Sequence, residues 1–359
     1  MDHPHKDIII IGGGLTGLSL AYFLQEAGIS ATILEARERI GGRIQTLYEE
    51  GKAPLEMGAT WLGKKHTSLT SLLEKLDLQT FEQYLGDKAI YEPISTSPPQ
   101  LVILPKNEEP SYRIAGGSSA LIQALLQKIE GRQQLVRGQT VSAVEDLGST
   151  IKVVTPTNTF TAKYVISTLP PFLLAKTVSF DPGLPQDLLG IMHRTHTWMG
   201  ESIKVALTFE KPFWREKNLS GTIFSNVGPI PEMYDHSDVE DQVYALCGFL
   251  NGNYFSLKKE ERLSLILNQL RKYFGEEVEN YLSYEEAVWR NEELTFAPYE
   301  EHVLPHQHNG HSIYQSPIWN GKLYIAGTET ADTFPGYMDG AVSSAHSVAK
   351  VIQAQYQPS

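Results

Sequence analysis

Ile8 to Ile11 are four consecutive β-branched residues that run straight into Gly12-Gly13-Gly14. A run with no polar alternation predicts a strand covered on both faces, as in a parallel sheet. Leu15 to Ala27 keeps its apolar residues at helical spacing and stops at Gly28, a residue suited to the left-handed turn that closes a helix. A second apolar run, Ala31 to Leu34, ends on Glu35, so the start of the chain predicts one βαβ unit. Thr67 to Leu76 predicts a helix, and Gln79 to Arg113, rich in Pro, predicts an irregular stretch at a domain boundary. Gly116-Gly-Ser-Ser opens a helix through Ile129, and Thr140–Val144, Ile151–Val154 and Tyr164–Ser167 follow as strands. Ile203–Phe209 predicts a strand, Leu263–Phe274 a helix and Leu323–Ala326 a returning sheet strand, and a closing helix is expected from Ala341. Residues 190–298 carry Trp198, Trp214 and Trp289 among many aromatics, the composition of a second, ligand-facing unit.

Composition narrows the classes. A chain of 359 residues exceeds one ordinary core and fits about two domains of ~150 residues. A net charge of −12 opposes both nucleic acid and an anionic membrane surface as partners, since each would be repelled. The single cysteine, Cys247, makes no internal disulfide, which agrees with a reducing cytoplasm. Residues 1–6 are polar, the apolar run behind them is too short to span a bilayer, and little follows the last apolar helix, so no membrane anchor is expected.

Chemistry is carried by three clusters. Gly12-Gly-Gly14-Leu15-Thr16-Gly17 stands after a buried strand and at the start of a helix, where a dinucleotide fingerprint must stand. Gly12 permits the tight turn, Gly14 lets backbone N–H groups approach a pyrophosphate, and Gly17 allows the helix to pack closely on the strand. Glu35 ends the second strand, where it can accept hydrogen bonds from a ribose, and its charge disfavours a 2′-phosphate. Just past it, Arg37-Glu-Arg-Ile-Gly41-Gly42-Arg43 places a fork-shaped cation able to neutralise a pyrophosphate. The second cluster is Gly327-Thr328-Glu329 with Gly336-Tyr337-Met338-Asp339-Gly340-Ala341, a strand end followed by a helix start. The third is Glu201-Ser-Ile-Lys204-Val-Ala-Leu-Thr-Phe209, a strand that carries a lysine among apolar residues, with Phe213-Trp214 behind it.

Together these motifs resemble the flavin-containing amine oxidase family, and the resemblance extends through Glu56-Met-Gly58-Ala59-Thr60-Trp61. It implies an α/β fold: a Rossmann-like FAD-binding domain, a parallel sheet with helices on both faces, and a second α+β substrate domain. The expected division gives residues 1–78, 116–190 and 299–359 to the FAD-binding domain, 79–115 to a shortened substrate-domain insertion and 191–298 to the substrate domain. By resemblance FAD lies against Gly12, Gly14, Leu15, Thr16, Gly17, Glu35, Ala36, Arg37, Gly42, Arg43, Gly58, Ala59, Thr60, Trp61 and Val141. Gly327, Thr328, Glu329, Tyr337, Met338 and Ala341 are expected at its flavin end, with Glu329 on ribityl hydroxyls and the closing helix start favouring negative charge on the flavin. Lys204 is expected to hold a water near flavin N5, and Tyr299 and Tyr337 to form an aromatic cage that orients the amine.

The implied reaction is hydride transfer from an amine to FAD, with dioxygen as the final acceptor and hydrogen peroxide as product. Two departures qualify the resemblance. Family members that tether FAD covalently use a cysteine just before the first cage tyrosine, and Pro298 stands there, so FAD is expected to be non-covalent. The long helical insertion over the substrate cavity is reduced to residues 79–115, which leaves room for a bulky substrate or for a partner chain, including a homo-oligomer. His302, His306, His308 and His311 lack ligand partners in register and predict a solvated loop without metal, and Asp339 is expected as a helix N-cap. The sequence leaves open a related FAD desaturase or porphyrinogen-type oxidase, and a flavin-binding module without turnover.

Overall fold

Ile8, Ile9 and Ile10 have no solvent exposure because their strand, Lys6–Ile11, lies in the middle of a sheet with helices on both sides. The structure, a computed structural model, describes residues 6–105 and 108–356. Strand geometry sends alternate residues to opposite faces. Ile8 and Ile10 accordingly join Leu18 and Leu24 of the helix Leu15–Glu26 and Ala345 and Ile352 of the helix Met338–Gln355. Ile9 and Ile11 join Leu174 of the helix Pro171–Thr177 and Leu188 and Met192 of the helix Gln186–Met192. Burying each such side chain contributes about 1.5–3 kcal/mol, so the unbroken apolar run at the start of the sequence is what holds two layers of helices to one strand.

Eight strands form this first sheet. Lys6–Ile11 pairs in parallel with Thr32–Leu34 and with Thr159–Ser167, Thr32–Leu34 with Gln134–Val136, and Thr159–Ser167 with Leu323–Ile325. The sheet is mixed, since Ala143–Asp146 and Ile151–Val154 form an antiparallel excursion onto Thr159–Ser167, and Ser179–Asp181 closes the edge. The strand expected from Thr140 begins only at Ala143, which frees residues 140–142 as a loop. The closing helix begins at Met338, three residues before the expected Ala341.

The second sheet has seven strands in the order Ser283–Val288, Ile203–Phe209, Tyr244–Leu250, Glu232–Asp235, Ile223–Ser225, Lys88–Glu92, Gln100–Ile103. Ile203, Val205 and Leu207 face the helix Lys259–Phe274 and pack with its Ile266, Leu270 and Phe274. Lys204 and Ala206 face the other way, toward residues 53–60. The expectation of an irregular segment over 79–113 is corrected here. Ala89 and Ile90 are buried in a strand that pairs in parallel with Ile223–Ser225, and Gln100–Ile103 adds the sheet's edge. The flanking prolines end these strands without preventing them, because an edge strand tolerates a missing N–H on its outer side. No helix among the described residues is long and apolar enough to cross a membrane.

Candidate active site

Between the two sheets runs a cavity of about 690 Å³, within the range of small-molecule sites. Its walls include Gly12, Gly14, Leu15, Thr16, Glu35, Ala36, Arg37, Gly42, Arg43, Gly58, Ala59, Thr60, Trp61, Val141, Lys204, Thr328, Tyr337, Met338 and Ala341. Four residues singled out from sequence are not on its wall: Gly17, Glu329, Gly327 and Tyr299.

At one end, Glu35 is turned into the glycine loop, with Oε2 accepting from Gly13 N at 2.7 Å and Oε1 from Arg37 N at 2.9 Å. The first intrahelical bond of Leu15–Glu26 runs from Leu18 N to Gly14 O, so the N–H groups of Leu15, Thr16 and Gly17 have no acceptor within the helix. Such a helix start beside a cavity attracts an anion. Gly17 acts from behind the wall: a Cβ there would lie 2.0 Å from Gly12 O, so only glycine lets the helix approach the strand end this closely. The segment Gly41-Gly42 lies against the same loop, with Gly41 N donating to Gly13 O at 3.0 Å. Arg37 leaves the cavity wall to donate to Glu292 at 2.8 Å and Thr295 at 3.0 Å.

Arg43 and Glu329 form a bidentate pair, with N–O distances of 2.5 and 2.9 Å between the guanidinium and the carboxylate. Glu329 has no solvent exposure, and its carboxylate is spent on Arg43 below the cavity floor. Glu329, expected on ribityl hydroxyls, here meets Arg43, and Arg43 lines the cavity with its charge already offset. Burial alone would lower the Arg43 pKa, but the Glu329 charge and hydrogen bonds outweigh it and hold the guanidinium above its ordinary value. Gly327 supports the turn from below, its N–H donating to Ser344 Oγ at 3.1 Å, and Thr328 Oγ1 donates to Tyr337 O at 2.6 Å. Asp339 does not cap its own helix. It is buried in that helix's first turn and accepts from Leu69 N at 2.8 Å, so it caps the neighbouring helix Thr67–Lys75.

Lys204 is 2% exposed, and its ammonium donates to Gly58 O at 2.7 Å and to Thr60 Oγ1. The Nζ stands 4.7 Å from the Trp61 ring centroid and 5.6 Å from that of Phe249, within cation–π range. Burial depresses its pKa, an effect opposed by the nearby Cys247 and Glu56. Glu56 is itself buried, which raises its pKa, and it accepts from Thr46 Oγ1 at 3.0 Å and Ser118 N at 2.5 Å. Across the second sheet, Lys204 pairs with Phe249 and Phe249 with Glu232, so the three side chains share one face, and all three line the cavity.

Tyr337 is on the wall and 42% exposed, but Tyr299 does not face it. The Tyr299 hydroxyl accepts from Thr197 N at 2.7 Å, and its ring packs on Phe172 and Phe296 at 4.7 and 5.5 Å. Of the two tyrosines expected to form a cage, the structure thus places Tyr337 on the wall and Tyr299 behind it. Trp198, which Tyr299 helps to hold through the adjoining Thr197, lines the cavity 6.4 Å from Tyr337, with His306 stacked on it at 3.8 Å. Phe249 and Glu232 were not singled out from sequence, and Trp198 and Trp289 stood out only within the aromatic content of residues 190–298. Trp198 stands six residues before Lys204 in a short polar-aromatic loop, the one signal that proximity could have offered. Among the described residues no group of three or more His, Cys, Asp or Glu is placed to hold a metal.

The model of the family described as flavin containing amine oxidoreductase matches residues 15–94 and 95–353. A probable flavin-containing monoamine oxidase A of Dictyostelium discoideum is 24% identical over 454 aligned positions, covering 97% of this chain and 97% of that protein. That alignment is longer than the 359-residue chain, so segments of the relative have no counterpart here. Amine oxidase B of Homo sapiens is 24% identical, with 96% of this chain and 86% of that protein covered. Among solved structures, a putrescine oxidase bound to putrescine superposes with a TM-score of 0.85 at 24% identity, covering 98% of this chain and 99% of that one. Cyclohexylamine oxidase from Brevibacterium oxydans gives 0.83 at 19% identity over the same shares. The match runs through both sheets and every wall of the cavity save its first strand and glycine turn, and the chain belongs to the family of flavin-containing amine oxidoreductases.

Proposed function

We propose that the chain oxidises an amine to an imine with FAD, bound without a covalent tether, and with dioxygen as the electron acceptor. The observation that carries this reading is Lys204, a buried cation held by Gly58 O and Thr60 Oγ1 on a cavity wall otherwise made of Trp61 and Phe249. Keeping a lysine there depresses its pKa and costs stability, an expense that a structural role on an apolar strand does not require.

The donors fit a dinucleotide. Gly12, Gly14, Leu15 and Thr16 would hold the pyrophosphate at the helix start, and Glu35, already oriented by two N–H groups, would accept from a ribose. Ala36, Arg37 and Val141 would flank the adenine side, with Gly42 and Arg43 over the phosphates. Gly58, Ala59, Thr60, Trp61, Thr328, Met338 and Ala341 would surround the ring end. The start of Met338–Gln355 points its unpaired first-turn N–H groups at that end, since its first intrahelical bond is Ala341 N to Tyr337 O. When bound, FAD supplies the two-electron acceptor for the C–H bond beside the amine nitrogen and hands the electrons to dioxygen, giving hydrogen peroxide.

This chain's own residues then have three tasks. Lys204 holds a water on its third N–H direction at the wall. Trp61, Phe249, Trp198 and Tyr337 exclude bulk water and present aromatic faces to the amine. Water later adds to the released imine and gives a carbonyl compound and ammonia or a smaller amine. The absence of a covalent tether is supported by Pro298 and by Cys247, which is fully buried and lies 3.6 Å from Glu56 O, off the cavity wall.

The holoenzyme is tested with tyramine, benzylamine, putrescine and spermidine, reading peroxide release in air and flavin bleaching without oxygen. Bleaching by at least one amine is expected, and neither signal with any of them would remove the amine assignment. Acid precipitation is expected to release all of the flavin into the supernatant; yellow colour in the pellet would overturn non-covalent binding.

A further inference from the structure

A second pocket, of about 250 Å³, shares no lining residue with the first. Glu56 lines it, whereas Gly58, two residues on, lines the cavity that holds Lys204. The strand Tyr112–Ile114 brings Arg113 to its wall, and His236 reaches the same wall just after the strand Glu232–Asp235. Pro54, Phe81, Ile114 and Val243 supply apolar surface. Val239, also on the wall, is 45% exposed, so a small molecule can enter from solvent.

Two buried polar side chains on this wall are short of partners. His236 is 1% exposed, and among the described residues neither ring nitrogen completes a hydrogen bond, although the Pro54 carbonyl is near enough to favour a proton there. Burial, helped by the charges of Arg113 and Lys204, holds the ring neutral. Arg113 is 6% exposed, with one Nη donating to Ser237 O at 2.5 Å and the guanidinium 4.5 Å from the Phe81 ring centroid, while its Nε has no acceptor among the described residues. Burial pushes its pKa down to about 10, even though Asp235, Cys247, Glu56 and Asp238 act in the other direction. Those acids are engaged elsewhere: Asp235 accepts from Trp214 and Arg215, Glu56 from Thr46 and Ser118, and Asp238 from the N–H groups of Gln242 and Val243. Buried donors without acceptors are costly, and a cation among them most of all.

We propose that this second pocket binds a small carboxylate, held by Arg113 Nε and by the N–H of His236. A carboxylate offers two acceptor oxygens in one plane, one for each unpartnered donor, and its bond to a guanidinium is charge-assisted. One negative charge answers the one unpaired cation. A doubly charged phosphate would instead face Glu56, Asp238 and Glu240 on the same wall, and Lys52 is already paired with Glu49 at 2.6 Å. The carbon tail lies against Phe81 and Val243, and the volume admits carboxylates of a few carbons. This site is independent of the amine-oxidising reading, since none of its residues lines the cavity that holds Lys204.

The test titrates the flavin-loaded protein with propionate and follows the ligand signals by saturation-transfer NMR. A Kd of about 1 mM is expected, a scale open to a ligand with so few heavy atoms. Saturating putrescine is expected to leave propionate bound, because the two pockets share no wall. Arg113→Gln and His236→Phe, each checked for melting temperature and flavin content, are expected to weaken propionate by about tenfold or more, the loss of one charge-assisted or buried hydrogen bond. Crystals of the native protein soaked in propionate give a reading that does not depend on how a variant folds, with density expected between Arg113 and His236. No saturation transfer in the native protein, an affinity unmoved by either substitution, or density only elsewhere overturns the site. Displacement by putrescine overturns its place in the molecule, and tighter binding of inorganic phosphate at the same residues overturns the carboxylate as its ligand.

Discussion

Replacing Arg43 by methionine should cost more stability than replacing Arg43 and Glu329 together. The pair joins residues 286 positions apart in sequence, and its two sides differ in exposure. The side chain of Glu329 is 1% exposed and that of Arg43 is 25% exposed. Arg43→Met therefore strands a carboxylate with no access to water, for which the expected cost is about 3–5 kcal/mol. Glu329→Leu strands a guanidinium that can still reach the cavity and rehydrate, so about 1–3 kcal/mol is expected. The double variant removes both charges, and apolar replacements of a buried pair are often close to neutral. For a chain of 359 residues, an unfolding entropy of about 2.1 cal/mol/K per residue moves Tm by roughly 1.3 °C per kcal/mol, so Arg43→Met should melt about 4–7 °C below the native chain. The assay is calorimetric melting of the flavin-stripped protein, because a bound ligand would add its own stabilisation. Melting of Arg43→Met within about 1 °C of native, or a double variant as low as the sum of its singles, would refute the argument that Glu329 serves Arg43 and not a ligand.

Lys204→Met should slow flavin reduction or reoxidation by at least about tenfold, equal to about 1.4 kcal/mol of barrier, with stopped-flow absorbance reading each half-reaction; unchanged rates in both would remove the role. Burial depresses the Lys204 pKa, so the unfolded chain binds that proton more tightly than the fold does. Stability from this group therefore rises as pH climbs from the folded value toward the ordinary value of about 10.4, and urea midpoints across alkaline pH should rise less in Lys204→Met. Gly58→Ala would put a Cβ 2.2 Å from Arg43 O and 2.9 Å from Gln45 N, both backbone atoms with little freedom to yield, and purified protein should lose most of its flavin absorbance. Trp198→Ala should raise KM for amines by about fivefold, a cost near 1 kcal/mol, while Tyr299→Phe should move kcat/KM by less than about twofold; the opposite order in steady-state kinetics would restore the tyrosine cage.

What the sequence makes legible here is local. The strand Lys6–Ile11, the glycine turn and the helix behind it depend on residues a few positions apart, and each emerges within one or two residues of its expected bounds. The strand Ile203–Phe209 emerges with its expected bounds because seven residues, all buried, carry the signal of a central strand. The segment 79–113 misleads because its prolines dominate the pattern, whereas Ala89 and Ile90 gain their burial from Ile223–Ser225, far along the chain. Glu329 stands beside a glycine turn and a helix start, as a ligand-binding acid would, and only the arrival of Arg43 from the other end of the chain shows that its charge is taken. Pairings of this kind depend on tertiary contacts that no local period encodes.

The same reasoning explains why the cavity wall around Lys204 was the least legible part. Lys204 could be found from its own neighbours, because a lysine in an apolar strand is conspicuous. Phe249 and Glu232 become its partners only through antiparallel register across two further strands, and a one-residue slip at either pairing would send them to the opposite face. Tyr299 shows the converse: the motif puts it at a cage position, yet its hydroxyl accepts from Thr197 N and its ring packs on Phe172 and Phe296. Holding Thr197 fixes the next residue, Trp198, whose carbonyl also accepts from Arg43 at 3.4 Å. Tyr299 thus meets the cavity one residue removed, through the tryptophan it positions. That exchange gives the cavity wall the larger ring of Trp198, on which His306 stacks at 3.8 Å.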